Sequence, residues 1–191
     1  MKIAIDIGHA NGTGSRGNGM EEHAVATKIG TNLAVMLEEQ GHEVDVIDFP
    51  NLSNTADINK TVAAVNAGNY DISVSIHCDS SDSPNSCGAH VCYNRTYTKT
   101  GDIIDSVKGK ALARCIAARI TKILPGRADT TQARPDKSKK LSSIAVLRDT
   151  RPPAVLVECG FITNQHDAEM MRTAPNCIAQ QIALGIKDFA K

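Results

Sequence analysis

Two histidines and two glutamates stand where a shared site would need them. His9 closes the run Lys2-Ile3-Ala4-Ile5-Asp6-Ile7-Gly8-His9, and His77 closes Asp71-Ile72-Ser73-Val74-Ser75-Ile76-His77. Glu158 closes Ala154-Val155-Leu156-Val157-Glu158, and Glu22 falls at the opening of an expected helix. Each run is apolar and β-branched, which predicts strands covered on both faces. In open α/β sheets the ligand crevice lies at the carboxyl ends of the strands. Three strands ending in residues that can bind a metal or carry a proton therefore point to one shared edge. The chemistry open to such a set is that of a catalytic zinc, with three ligands from His and Glu or Asp and a water in the fourth position. His9 and His77 supply two nitrogens. The third ligand has to come from a loop or helix start nearby, and Glu21 and Glu22 are both in reach, where the helix N-terminus favours a carboxylate. Glu158 is then free to act as general base on a bound water and to return the proton to a leaving amine. None of this uses the HExxH spacing.

Alternating elements have to position these residues. A strand over 2–8 leads into the glycine-rich loop 12–19. Val25, Ile29, Leu33, Met36 and Leu37 then recur at helical spacing and predict a helix over 21–39, stopped by Gly41. A strand at 43–48, a loop at 50–54 and a helix from Thr55-Ala56-Asp57 to Ala67 follow, then a strand at 71–77. The loop 79–86 is rich in turn residues, and Ala89 to Tyr93 reads as a strand. A long helix spans 104–123 before Pro125-Gly126. The polar, basic stretch 126–142 carries Arg127, Arg134, Lys137, Lys139 and Lys140. A short strand at 144–147, a strand at 154–158 and a helix at 175–189 complete the chain. This alternation predicts one domain over residues 1–191, an α/β fold with a single, mostly parallel, twisted sheet of about six strands and helices on both faces.

Composition excludes several classes. The 21 basic and 21 acidic residues cancel, so no global field draws nucleic acid or an anionic membrane. Aromatics make up 3% with no Trp, too few for a base-stacking surface. No apolar run approaches a membrane span, and the N-terminus lacks the pattern of a secretory signal. The six cysteines form no CxxC pair and read as reduced, buried thiols rather than a structural zinc knuckle. The loop 12–19 has neither GxxxxGK[ST] nor GxGxxG, which disfavours a phosphate cradle.

The chain resembles the zinc-dependent N-acetylmuramoyl-L-alanine amidases, the peptidoglycan amidases of bacteria and their phages. The resemblance is carried by Ile5-Asp6-Ile7-Gly8-His9, by Glu22, by Ser75-Ile76-His77 and by the run Pro153 to Asn164, PAVLVECGFITN. Gly41-His42-Glu43-Val44, Val65-Asn66 and Val146-Leu147-Arg148 match between them. Carried over position by position, the resemblance implies one zinc held by His9, Glu22 and His77, with Glu158 as catalytic glutamate. It places the ligand at Glu22 rather than Glu21. The helical face shared by Glu22, Val25, Ala26, Ile29 and Leu33 agrees, because it turns Glu22 toward the sheet. The chain departs from the family pattern at Ile7, Ala10, Cys78 and Asp79, which bears on substrate preference more than on the ligands.

The resemblance implies hydrolysis of the amide between the lactyl group of N-acetylmuramic acid and L-alanine, with the peptidoglycan stem peptide as substrate. It implies no nucleic-acid partner, and a monomer is favoured. Accumulation in the cytoplasm with action on the cell wall, as in an endolysin, is expected, or else a domain excised from a wall-associated enzyme; a sporulation amidase is the runner-up. An inactive wall-binding module on the same scaffold, or a zinc peptidase or deacetylase, are the alternatives. His23, His42, His90 and His166 read as surface residues. The basic stretch reads as a solvated loop that is able to face the carboxylates of a stem peptide.

Overall fold

The computed structural model describes the whole chain except Thr98, Gly101 and residues 136–143, so Lys137, Lys139 and Lys140 lie outside the described residues. In chain order the elements are β1 (Lys2–Ile7), β2 (Arg16–Gly17), β3 (Met20–Glu21), α1 (Glu22–Glu39), β4 (Glu43–Ile47), α2 (Asn54–Ala67), β5 (Ile72–Asp79), β6 (His90–Tyr97), β7 (Ile103–Asp105), α3 (Val107–Ile120), β8 (Thr131–Pro135), α4 (Ala145–Arg148), β9 (Ala154–Phe161), α5 (Gln165–Thr173) and α6 (Pro175–Phe189).

The main sheet runs β4-β1-β5-β9-β6-β7, with β8 also paired to β6. The strands β4, β1, β5 and β9 are parallel, whereas β6 is antiparallel to β9 and to β7. From β1 the chain crosses through α1 to one flank and from β4 through α2 to the other. The chain order thus reverses between β1 and β5, where such sheets open a crevice.

Alternation along the strands decides which face does what. In β5, Ile72, Val74, Ile76 and Cys78 point one way, and Ser73, Ser75 and His77 point the other. The first set joins Ile3, Ile5, Ile7, Val155, Val157 and Val91 in the main core, packed by Ile29 and Leu33 of α1, Leu112 and Ile116 of α3, and Ile178 and Ile182 of α6. Gly30 lets α1 lie close on β1, since a Cβ there would come within 2.3 Å of Ile7 Cδ1. The opposite face is small and polar. It is covered in patches, by α4 over Cys92, Ala154 and Leu156 and by α2 over Ala4. Asp6 is buried on this face, where Thr61 Oγ donates to Oδ1 at 3.2 Å and Ser75 Oγ donates to Oδ2.

Several expectations change here. The strands are not apolar on both faces; one face was masked by small residues that pass for core. Strand β9 runs on to Phe161 and β5 to Asp79, so Glu158 and His77 lie inside strands, and His9 lies two residues past β1. Residues 145–148 are helical rather than extended, because Ile144 and Leu147, three apart, both turn onto the cluster over Leu156. Four apolar residues are too few for periodicity to separate the two forms. Strands β7 and β8 and helix α5 add to the elements the sequence predicts. Helix α5 is capped by Asn164, whose Oδ1 accepts from the His166 and Asp167 backbone N–H groups.

Candidate metal centre

The loop after β1 and the start of α1 are set by a tight hairpin. Asn18 and Gly19, at φ 49° and 75°, form its turn between β2 and β3, the left-handed pair that an Asn-Gly dipeptide supplies. The Asn18-Gly19 dipeptide, inside the glycine-rich loop 12–19, is the sequence signal for this turn. The hairpin brings Ser15 against the first turn of α1: Glu22 N donates to Ser15 O at 3.0 Å, and Ser15 N donates to Glu22 Oε2 at 2.6 Å.

Glu22 is 2% exposed and its carboxylate is the hub of the site. Its Oε1 accepts from Cys78 N at 3.0 Å and lies 3.0 Å from His77 Nδ1, while its Oε2 lies 3.5 Å from His9 Nε2. Glu21 points elsewhere, half-exposed and ion-paired with Arg16 at 2.9 Å. The two imidazoles stand edge to face with centroids 5.0 Å apart. Gly8 makes room for this, because a Cβ there would lie 2.5 Å from the His77 ring. His9 sits at φ 63°, a conformation that costs a non-glycine residue on the order of 1–3 kcal/mol. Its Nδ1 lies 3.2 Å from Asn54 Oδ1 at the start of α2. With the proton on Nδ1, donated to Asn54, His9 presents the lone pair of Nε2 to the cluster. No pattern in the sequence pointed to Asn54.

One ligand atom from each of His9, Glu22 and His77 lies within 4.8 Å of the others, the one such group of three among the described residues. Two imidazole nitrogens and one carboxylate oxygen are a donor set that zinc takes readily, and ligands about 2 Å from one tetrahedral ion stand about 3.3 Å apart. The spacings to Glu22, 3.0 Å from Oε1 to His77 Nδ1 and 3.5 Å from Oε2 to His9 Nε2, are close to that separation, and one atom from each residue falls within 4.8 Å of the others.

Glu158 is brought beside this cluster. It pairs in register with His77 across the parallel β5–β9 ladder, so both side chains rise from the same face. Its Oε2 is buried without a hydrogen-bond partner among the described residues. Burial pushes its carboxyl up to about 7, with Asp79 and Glu22 adding to the rise and His77 and Arg134 opposing it. Burial also favours the neutral form of Glu22, but His77, His9 and the Ser15 N–H outweigh it and hold the carboxyl below its usual range. His77 is held above its usual range, since Glu22, Glu158 and Asp6 outweigh the desolvation of its charged form. His9 is lowered, chiefly by burial.

His90, expected at the surface, is fully buried with neither ring nitrogen hydrogen-bonded among the described residues, and burial pushes it down to about 3. His23 is also buried, 3.0 Å from Asp48, whereas His166 is exposed as expected. Cys78 and Cys159, next to His77 and Glu158, are buried, and burial raises both thiols.

The fold and this cluster describe an α/β protein with a His–Glu–His donor set at the crevice of its sheet and an acid of raised pKa alongside. The chain belongs to the N-acetylmuramoyl-L-alanine amidase family, whose profile it matches over residues 3–188. It is similar to the N-acetylmuramoyl-L-alanine amidase CwlM of Bacillus licheniformis, 27% identical over 97% of this chain and 65% of that protein. It is similar to the amidase LytC of Bacillus subtilis, 28% identical over 90% of this chain and 32% of that protein. The chain thus spans less than two thirds of the length of these relatives. Its fold matches that of the amidase Ami1 from Mycobacterium smegmatis with a TM-score of 0.83 at 20% identity, over 99% of this chain and 96% of that one. Among the described residues no helix is long and apolar enough to cross a membrane.

Proposed function

We propose that residues 1–191 form a catalytic domain that hydrolyses the amide between N-acetylmuramic acid and L-alanine in peptidoglycan, with one zinc held by His9, Glu22 and His77. Family membership supports the reaction. The observation that carries the site is the convergence of both histidines on the buried Glu22 carboxylate, with Glu158 next to His77 on the same sheet face.

Zinc bound by such a set lowers the pKa of its water and polarises a carbonyl. The chain's own residues do the rest. Asn54 holds the His9 ring and its tautomer. Ser15 N and Cys78 N hold the Glu22 carboxylate. Glu158 accepts the proton of the attacking water and passes it to the nitrogen of L-alanine as the amide breaks. The unpartnered Oε2 is the atom free to do so.

The test is zinc content together with product analysis on purified walls. Zinc near one equivalent and release of free L-alanine N-termini without new reducing ends support the proposal. Wall binding without cleavage by the zinc-loaded protein would instead mark an inactive wall-binding module.

A further inference from the structure

The reaction proposed above gives no task to the two described arginines of the basic stretch; Arg127 stands against Asp79, and the charge of Arg134 is close enough to act on Glu158. Arg134 lies on β8, paired with Asn94 of β6. Its Nε donates to Cys92 Sγ at 3.3 Å. Cys92 is two residues along β6 from His90, which stands opposite Glu158, so Arg134 shares the sheet face of the catalytic glutamate. Across that face the order is His9 after β1, His77 on β5, Glu158 on β9, then Arg134 on β8, two strands further across and four residues along β6 from His90, so that its side chain reaches back over Cys92 toward Glu158. Glu158 therefore stands between the metal ligands and Arg134.

The two arginines are differently occupied. Arg127 lies 3.6 Å from Asp79 Oδ2 and over the Phe161 ring, 5.5 Å from its centroid. Arg134 is partly buried, and among the described residues no carboxylate lies within 4.0 Å of it. Its terminal nitrogens have no hydrogen-bond partner among the described residues; only Nε is used, on a neutral thiol. Its charge is nonetheless close enough to favour the ionised forms of Glu158 and Asp79. A guanidinium partly withdrawn from water without an anion is unfavourable. Its free edge, two parallel N–H groups, has the shape of a carboxylate receptor.

We propose that Arg134 binds a carboxylate of the substrate on the leaving-group side of the scissile amide. The side follows from the order of residues: Glu158 returns its proton to the departing nitrogen, and Arg134 lies on the far side of Glu158 from the metal ligands. The occupant is an acidic peptide group, and Arg134 sets a preference for a free carboxylate over its amide. This inference rests on the amidase reading.

The test uses two soluble muramoyl-L-alanyl dipeptides that differ only in whether the second residue carries a free α-carboxylate or the carboxamide. The zinc-loaded wild-type protein is expected to favour the carboxylate by about 10- to 100-fold in kcat/KM. Arg134→Gln should bring that ratio close to one, mainly through KM on the carboxylate substrate, and Arg134→Lys should keep part of it. An unchanged ratio in Arg134→Gln overturns the proposal. So does an equal loss on both substrates with the acid limb of the pH profile moved upward, since Arg134 would then act only on Glu158. Failure of the wild-type protein to cleave either dipeptide counts against the amidase reading. The inference is then judged by calorimetric titration of both dipeptides into zinc-loaded Glu158→Gln protein, where equal affinities overturn it.

Discussion

Glu158 and His90 stand directly opposite each other across the antiparallel β9–β6 pairing, and neither side chain is fully hydrogen-bonded among the described residues. Burial drives the two in opposite directions, the carboxyl up to about 7 and the imidazole down to about 3. His90 therefore stays neutral across the working pH range and provides no counter-charge for Glu158. A cationic His90 would stabilise the carboxylate and make it a weaker base. The neutral neighbour helps keep Glu158 near the pKa that proton transfer at neutral pH favours.

Replacing Glu158 by Gln keeps the shape and removes the proton acceptor. Zinc content should stay near one equivalent while the initial rate of wall lysis falls by about 10²–10⁴-fold. In the wild-type protein the acid limb of kcat/KM should lie below pH 7, because a bound cation favours the ionised carboxylate and moves Glu158 down from about 7. A Glu158→Gln protein with normal zinc and near-normal rate removes Glu158 from the reaction.

The carboxylate ligand is tested by a pair of neighbours. Glu22→Gln should lower zinc affinity sharply, because Glu22 is buried between both histidines. Glu21→Gln should leave zinc content and rate nearly unchanged, since that side chain points away from the cluster and pairs with exposed Arg16. Competition with a chromogenic chelator measures both, and the reverse pattern contradicts the site.

Asn54→Ala removes the contact that orients His9. Contacts of this kind typically contribute about 10- to 100-fold to metal affinity. The expected result is a loss of that size in zinc affinity with little change in the urea midpoint of the metal-free protein. An unchanged zinc affinity shows that His9 does not depend on Asn54.

His90 makes a signed prediction for stability. Its folded pKa, about 3, lies below the ordinary value of 6.5, so the unfolded chain takes up the proton first as pH falls. The His90 contribution is complete above about pH 6.5 and is lost progressively toward pH 3. Glu158 acts in the opposite sense in the metal-free protein: its raised pKa means a contribution present below 4.5 and lost as pH rises through about 7. Urea midpoints measured from pH 6.5 to 4.5 should fall less steeply for His90→Leu than for the wild-type protein. Parallel slopes refute the assignment.

The sequence alone carried the alternation of strands and helices, the α/β class and the four residues that converge. Strand periodicity, helix spacing and turn residues are local properties, and the resemblance is a matter of residues in order. The tertiary structure decided what depends on distant partners. Ser73 and Ser75 look like strand filler until the register sets them on a polar face beside Asp6. His90 looks like a surface residue until β6 turns antiparallel against β9 and buries it opposite Glu158. Asn54 and His9 are 45 positions apart and meet only because α2 crosses the polar face of the sheet. Arg134 was one of several basic residues in a polar stretch until β8 joined β6 and set its charge near Glu158 with no carboxylate within ion-pair distance among the described residues. Burial and pairing across long sequence separations fixed these roles, because they are properties of packing that no local pattern encodes.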